Sequence, residues 1–154
     1  MSKTNAMRIL DSKNINYNIF TYDADDSQID GISVANKINR SVDEVYKTLV
    51  AQGKEIYVFV IPVDKELDLK KAANIAGEKK IELIPVKDLL KLTGYIRGGC
   101  SPVGMKKLFK TFIHEDSILL NKIIVSGGKI GLQMEINPED LASVTDAKFA
   151  DLTK

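Results

Sequence analysis

Few side chains in this sequence could do covalent chemistry. There is one cysteine, Cys100, and one histidine, His114. A cysteine nucleophile needs a base to make its thiolate. The only imidazole sits in "FKTFIHE", a run that reads as a strand, and nothing in the order of residues brings it to Cys100. The plain readings are a partly buried loop thiol and a sheet-edge histidine. One cysteine and one histidine cannot build a His/Cys metal cluster, so neither a metal nor a cofactor is expected. The unusual stretch is "GYIRGGCSPVGMKK", residues 94–107, with four glycines, one proline and three basic side chains, Arg97, Lys106 and Lys107. Gly98 and Gly99 allow close backbone approach or a positive φ, and Pro102 stiffens the segment. Such a loop suits a phosphate cradle, a nucleophile's loop or a pocket wall with an oxyanion site. A P-loop is excluded: Gly99 and Gly104 have the right spacing, but Met105 follows where lysine is required.

Three further places could bind an anion or a substrate. Lys47 follows "SVDE", residues 41–44, which reads as a capping box with Ser41 as N-cap and Glu44 three residues on. It precedes the strand-like "TLVAQ". A lysine at a helix-to-strand junction can point into a cleft, although most lysines point into water. Tyr22 closes "YNIFTY" ahead of the acidic loop "DADDSQIDG"; its plain reading is a half-buried sheet residue with a wet hydroxyl. "SGGK", residues 126–129, could be an anion nest, but a hairpin turn accounts for it.

The elements that must hold these residues are legible in part. A first helix is predicted from Thr4 to about Lys13, with Ala6, Ile9 and Leu10 inward and Asn14 ending it. "YNIFTY" alternates and is a predicted strand. "SVANKIN" is a short helix opening at Ser33. "TLVAQ" and "EIYVFVIP" form a hairpin across Gly53 and Lys54. "DLKKAANIAGEKK" is a helix capped by Asp68 and stopped by Gly77, and "VKDLLKL" is another, ended by Gly94. "IIVSGGKIGLQMEI", residues 123–136, predicts two strands turning at Gly127 and Gly128. "NPEDLASV" is a helix with Asn137 as cap and Pro138 at its first position. Without a regular βαβ rhythm, the expected fold is mixed α/β of the α+β kind: a curled, barrel-like, largely antiparallel sheet with helices packed outside.

A chain of 154 residues suits one domain, residues 1–154. The 22 basic and 21 acidic side chains leave a net charge of +1, which does not describe a protein that coats nucleic acid. It leaves room for one that holds a nucleic-acid end, with contacts to about two or three phosphates. The N-terminus lacks the apolar core of a signal peptide, and no apolar run reaches the length of a membrane span. A cytoplasmic protein with no membrane contact is expected.

The combination of "VYKTL", "LDLKKAA", "GYIRGGCSPVGMKK", "VSGGKIGL" and "DAKFADL" resembles the YbaK family. These are freestanding Cys-tRNA(Pro) deacylases related to the editing domain of bacterial prolyl-tRNA synthetases. The matching segments run in the family's order from Tyr22 to Leu152. The resemblance implies hydrolysis of the ester joining a wrong amino acid to the terminal adenosine, because size alone separates cysteine from proline poorly. It implies a catalytic set of Lys47, Gly98, Gly99 and Ser101, with Tyr22, Pro102, Gly104, Ser126, Gly127 and Gln133 binding substrate. Lys47 would fix a phosphate or ribose near the 3′ end, and a loop N–H would stabilise the oxyanion. Cys100 occupies a position that is not always cysteine in relatives, so it is not an expected nucleophile. Gln133 stands where relatives often carry an acid. Attack would come from the substrate's own thiol or from water. The implied partners are mischarged tRNA, held by its 3′ aminoacyl end, and prolyl-tRNA synthetase. The alternatives are a catalytically silent tRNA-end or synthetase-binding module, or a deacylase for alanyl, seryl or threonyl esters. If Gly98 and Gly99 face the ester, Gly99→Ala should cut turnover while leaving melting nearly unchanged.

Overall fold

The computed structural model describes residues 2–154. Helix α1 (Asn5–Ser12) begins at Thr4, whose hydroxyl accepts from Met7 N and donates to Gly127 O at 2.6 Å. Its buried stripe is Ala6, Met7 and Leu10. Strand β1 (Tyr17–Thr21) follows. Helix α2 (Gly31–Lys37) starts two residues before Ser33 and is capped by Asp30, because the Asp30 carboxylate takes both the N–H and the hydroxyl of Ser33. Strands β2 (Tyr46–Gln52) and β3 (Ile56–Pro62) form the predicted antiparallel hairpin. Helix α3 (Leu69–Ala76) has Asp68 as cap and Gly77 at φ 75° as stop, as the sequence indicates. The short β4 (Glu82–Leu83) and helix α4 (Leu89–Thr93), closed by Gly94, lead to the glycine loop. Strand β5 (Lys110–His114), the pair β6 (Ile123–Ser126) and β7 (Leu132–Ile136), helix α5 (Pro138–Thr145) with Asn137 as cap, and β8 (Lys148–Ala150) complete the chain.

The strands make two open sheets: an antiparallel one in the order β1-β7-β6 and a mixed one in the order β4-β2-β3-β5-β8. The expected barrel-like closure is therefore corrected. Pairs β3–β5 and β5–β8 are parallel. Parallel neighbours need long crossovers, and these run through α3 and α4, and through α5. The two sheets meet at one parallel bridge, Val45 to Ile124, and then diverge. His114 lies in β5, between β3 and β8, so it is not a sheet-edge residue. The connection of β6 to β7 is longer than a Gly-Gly turn: Ser126 pairs with Gln133, leaving residues 127–131 as loop.

The "SVDE" segment makes a turn, not a helix. Ser41 Oγ accepts from Asp43 N, and the Glu44 carboxylate turns to Arg40 at 2.7 Å instead of back to the cap. Val42, Val45 and Tyr46 favour extended backbone, and the chain passes directly into β2. Strand β3 is buried on both faces, as its unbroken apolar run implies. Val58 and Val60 face a core shared with α1, β6 and β7, while Tyr57, Phe59 and Ile61 face Ala72 and Ala73 of α3. Arg40 pairs with Glu135 of β7 at 2.6 Å and lies over the Phe20 ring, which fastens the segment before β2 to the three-stranded sheet. No helix among the described residues is long and apolar enough to cross a membrane.

Candidate active site

A cleft of 730 Å³ opens where the sheets part. Strand β2 explains why. Its outer edge carries β4 only at Ala51 and Gln52, so the stretch from Tyr46 to Leu49 borders open space. Tyr46 faces Pro62, which has no N–H to give. Val63 N donates to Val45 O next to this pair, and Ile84 N donates to Val50 O on the other edge of β2; together they set the alternation. Thr48 therefore directs its backbone N–H and C=O away from β3, out of the open edge. Because the cleft borders an edge, it reaches both faces of the strand. Lys47 and Leu49 line it from one, Tyr46 and Thr48 from the other.

Lys47 is half-buried within β2, not at a helix end. Among the described residues its ammonium has no ion-pair partner. Burial pushes its pKa below the ordinary lysine value of 10.5, and Glu66 and Asp64 pull weakly the other way. A desolvated cation without a carboxylate partner is prepared for an anion or a ribose oxygen. The hydroxyls of Tyr46 and Thr48 are buried with no hydrogen-bond partner among the described residues. Burial drives the Tyr46 phenol well above its usual range, so it remains a donor. Unpaired buried polar groups are expensive, and here they lie in the wall of a cleft able to supply a partner. Sequence reasoning missed both. The alternation in "VYKTLV" around Lys47 was the available signal, obscured by reading a helix before it.

The opposite wall is the glycine loop. Gly98, at φ 85°, and Cys100 line the cleft. Gly99 lies behind them, where a Cβ would stand 2.9 Å from the backbone of Lys129 and Ile130. Its N–H already donates to Ile96 O at 3.0 Å, so it is not free for an oxyanion. Ser101, Pro102 and Gly104 are also outside the cleft. Ser101 is fully buried and its Oγ accepts from Val103 N; Tyr95 OH donates to Val103 O, and Asn5 Nδ2 to Gly104 O. These bonds fold the loop on itself and tie it to α1. Ser126 and Gln133, paired across β6 and β7, line the cleft floor, while Gly127 packs against Leu132.

Tyr22 does not line the cleft. Its hydroxyl is buried, so it is not wet, and has no partner among the described residues; Lys37 Nζ lies 5.8 Å from its ring centroid. Lys37 also bonds to Asp26 and to the carbonyls of Asp23 and Gln28. Tyr22 and Lys37 thus anchor the acidic loop whose end, Ser27 to Asp30, closes the cleft.

No side chain at the cleft is a ready nucleophile. Burial pushes the Cys100 thiol up to about 11, which leaves it un-ionised at neutral pH. His114 is held elsewhere, accepting from Leu152 N through Nδ1 and facing Asp116 through Nε2. Among the described residues no group of His, Cys, Asp and Glu is placed to hold a metal ion. With no ready nucleophile of its own, the arrangement can bind, orient and polarise a substrate that is already reactive.

Known proteins resemble this chain over nearly its whole length. The aminoacyl-tRNA editing domain matches residues 27–144. The chain is 43% identical over 153 residues to EbsC of Enterococcus faecalis, a candidate Cys-tRNA(Pro)/Cys-tRNA(Cys) deacylase; the match covers 98% of this chain and 93% of that one. Two solved structures share the fold. A candidate trans-editing enzyme for prolyl-tRNA synthetase superposes with a TM-score of 0.87 at 24% identity, covering 100% of this chain and 99% of the other. The hypothetical protein APE2540 superposes with a TM-score of 0.89 at 22% identity, covering 98% and 100%.

Proposed function

The chain belongs to the aminoacyl-tRNA editing family, and from that premise we propose that it is a freestanding deacylase that hydrolyses the ester of mischarged Cys-tRNA(Pro). One observation carries the reading: the half-buried, unpaired Lys47 shares with the glycine loop a cleft whose one thiol, Cys100, burial holds un-ionised. In this proposal Lys47, Gly98, Ser126 and Gln133 touch the substrate. Gly99, Ser101, Pro102, Gly104, Gly127 and Tyr22 build the walls behind them. The whole chain acts as one editing domain, in the cytoplasm, on the 3′ aminoacyl end of tRNA, with prolyl-tRNA synthetase or its tRNA supplying the choice of tRNA.

The ester is intrinsically reactive, so orientation contributes most of the catalysis. Lys47 holds a phosphate or ribose oxygen beside the scissile bond. The substrate thiol attacks its own carbonyl carbon: the C–S bond forms, the ester C–O bond breaks, and the released ribose oxygen takes the thiol proton. Water then opens the resulting thiolactone to free cysteine. Direct attack by water is the variant for esters without a thiol.

The test is loss of the ester from Cys-tRNA(Pro), with alanyl, seryl and threonyl esters alongside. Hydrolysis of the cysteinyl ester well above the spontaneous rate is expected. Binding without hydrolysis would make the chain a silent tRNA-end module and overturn the proposal. Cys100→Ala is expected to keep most of the activity, because a thiol held near 11 is not the attacking group. A loss beyond about a hundredfold with an unchanged melting curve would mean that Cys100 is the nucleophile after all.

A further inference from the structure

Two neighbouring loops that line the cleft carry opposite charge. In one, residues 23–30 hold Asp23, Asp25, Asp26 and Asp30. Lys37 pairs with Asp26 at 2.7 Å, and among the described residues the other three make no ion pair. Beside it, where Ile29 packs against Gly98, are the glycine loop and α4. Residues 84–109 hold five bases, Lys87, Lys91, Arg97, Lys106 and Lys107, against one acid, Asp88, in a chain whose net charge is only +1. A small total charge therefore conceals a strong separation.

The basic residues belong to one connected structure. Lys106 Nζ donates to Lys91 O at 3.2 Å, and Lys106 N donates to Thr93 O at 3.1 Å, which binds the loop to the end of α4. Lys87 and Lys91 are one helical turn apart. Only Lys91 has an acidic neighbour, Asp88 at 3.9 Å, with the lysine side chain 77% exposed. Among the described residues Lys87, Arg97, Lys106 and Lys107 make no ion pair. Arg97 itself lines the cleft, so the basic face is continuous with the site.

A lysine-bearing surface is most often only a solvated one. Here an acidic loop and a basic one meet at the proposed site, with Ile29 packed beside Gly98, and that asymmetry steers a polyanion over the basic one. We infer that the RNA leaves the cleft over Arg97 and runs along the α4 and glycine-loop face, its phosphates met by Lys87, Lys91, Lys106 and Lys107. The acidic loop repels the backbone from its own edge of the cleft. This inference rests on the reading of the substrate as an aminoacyl-tRNA. It replaces the two or three phosphates expected from net charge with a longer contact.

The test combines Lys87→Ala, Lys91→Ala, Lys106→Ala and Lys107→Ala in one variant, none of them in the cleft. Three measurements are compared with the parent: binding of uncharged tRNA(Pro) as salt is varied, hydrolysis of Cys-tRNA(Pro), and hydrolysis of cysteinyl-adenosine, which has no phosphate. The expected result is weaker tRNA binding by about tenfold or more near physiological salt. The slope of log K against log salt should flatten by about 3, at roughly 0.7–0.9 per contact. Turnover of Cys-tRNA(Pro) at sub-saturating concentration should fall with it, while the cysteinyl-adenosine rate and the melting temperature stay at the parental values. An unchanged salt slope overturns the inference, and so does an equal loss on both esters. A variant that binds and hydrolyses tRNA normally, yet loses a stimulation by added prolyl-tRNA synthetase, would make this a protein-docking face and also overturn it. If the parent hydrolyses neither ester, the deacylase reading fails, and the tRNA-binding arm still decides the path.

Discussion

Replacing Lys47 by alanine slows hydrolysis of Cys-tRNA(Pro) by roughly ten- to a hundredfold and leaves the melting temperature at or slightly above that of the parent. The first half follows from the chemistry of the contact. A hydrogen bond to a charged group is worth about 1.5–3 kcal/mol, and each ~1.4 kcal/mol in the barrier is tenfold in rate. Misplacement of the ester would add to the loss. The second half follows from the electrostatics of β2. Burial lowers the pKa of Lys47, and Glu66 and Asp64 offset this only partly. The folded state therefore gives up this proton more readily than the unfolded chain. The charged lysine opposes folding at neutral pH, and its penalty fades as pH rises through the lowered folded-state value. Removing the ammonium removes that penalty. Lys47→Arg should not restore the rate, since the planar guanidinium is larger and directs its donors differently. The check is single-turnover hydrolysis by the parent, Lys47→Ala and Lys47→Arg, with melting curves beside them. Hydrolysis by Lys47→Ala at the parental rate would remove this residue from the site.

Legibility in the sequence followed how local the determining interactions were. Asp68 with Gly77, and Asn137 with Pro138, mark their helices correctly because capping involves only neighbouring residues. The hairpin of β2 and β3 was equally readable. The helix after Ser41 was misread because Glu44 completes no capping box when Arg40 offers a charged partner and the following residues prefer strand. Sheet closure was not readable at all. It depends on whether β6 continues along β2 beyond the bridge at Ile124, and no local pattern encodes that divergence. The site shows the same division. Lys47, Gly98, Ser126 and Gln133 meet at the cleft. Thr48 and Tyr46 do so only because β4 is too short to cover the edge of β2. Net charge was the least informative quantity, because it averages the acidic loop at residues 23–30 with the basic face beyond Arg97.

Gly99→Ala is expected to destabilise the fold by about 1–3 kcal/mol, the usual range for overpacking. That corresponds to a drop in melting temperature of roughly 2–4 °C for each kcal/mol in a chain of this size. This reverses what the sequence suggests on its own, where a glycine facing the ester would affect turnover alone. The space beside Gly99 is already occupied. An added Cβ would stand 2.9 Å from Ile130 N and from Cα and C of Lys129. These are backbone atoms, which cannot swing aside as the end of a side chain can. Gly98 differs: its Cβ would meet the terminal Cδ1 of Ile29 at 2.7 Å, but its φ of 85° strains any other residue. Gly77 provides the control, with φ 75° and nothing within 4 Å of a built Cβ. Gly77→Ala should therefore show only the backbone effect, on the order of 1–2 kcal/mol. Turnover in Gly99→Ala should also fall, because the Lys129–Ile130 segment belongs to the loop between Ser126 and Gln133, and displacing it moves the cleft floor. Melting curves and single-turnover rates for Gly99→Ala and Gly77→Ala separate the possibilities. If Gly99→Ala melts with the parent and only its turnover falls, the glycine borders the ester directly, and the wall at residues 129–130 is not what excludes a side chain there.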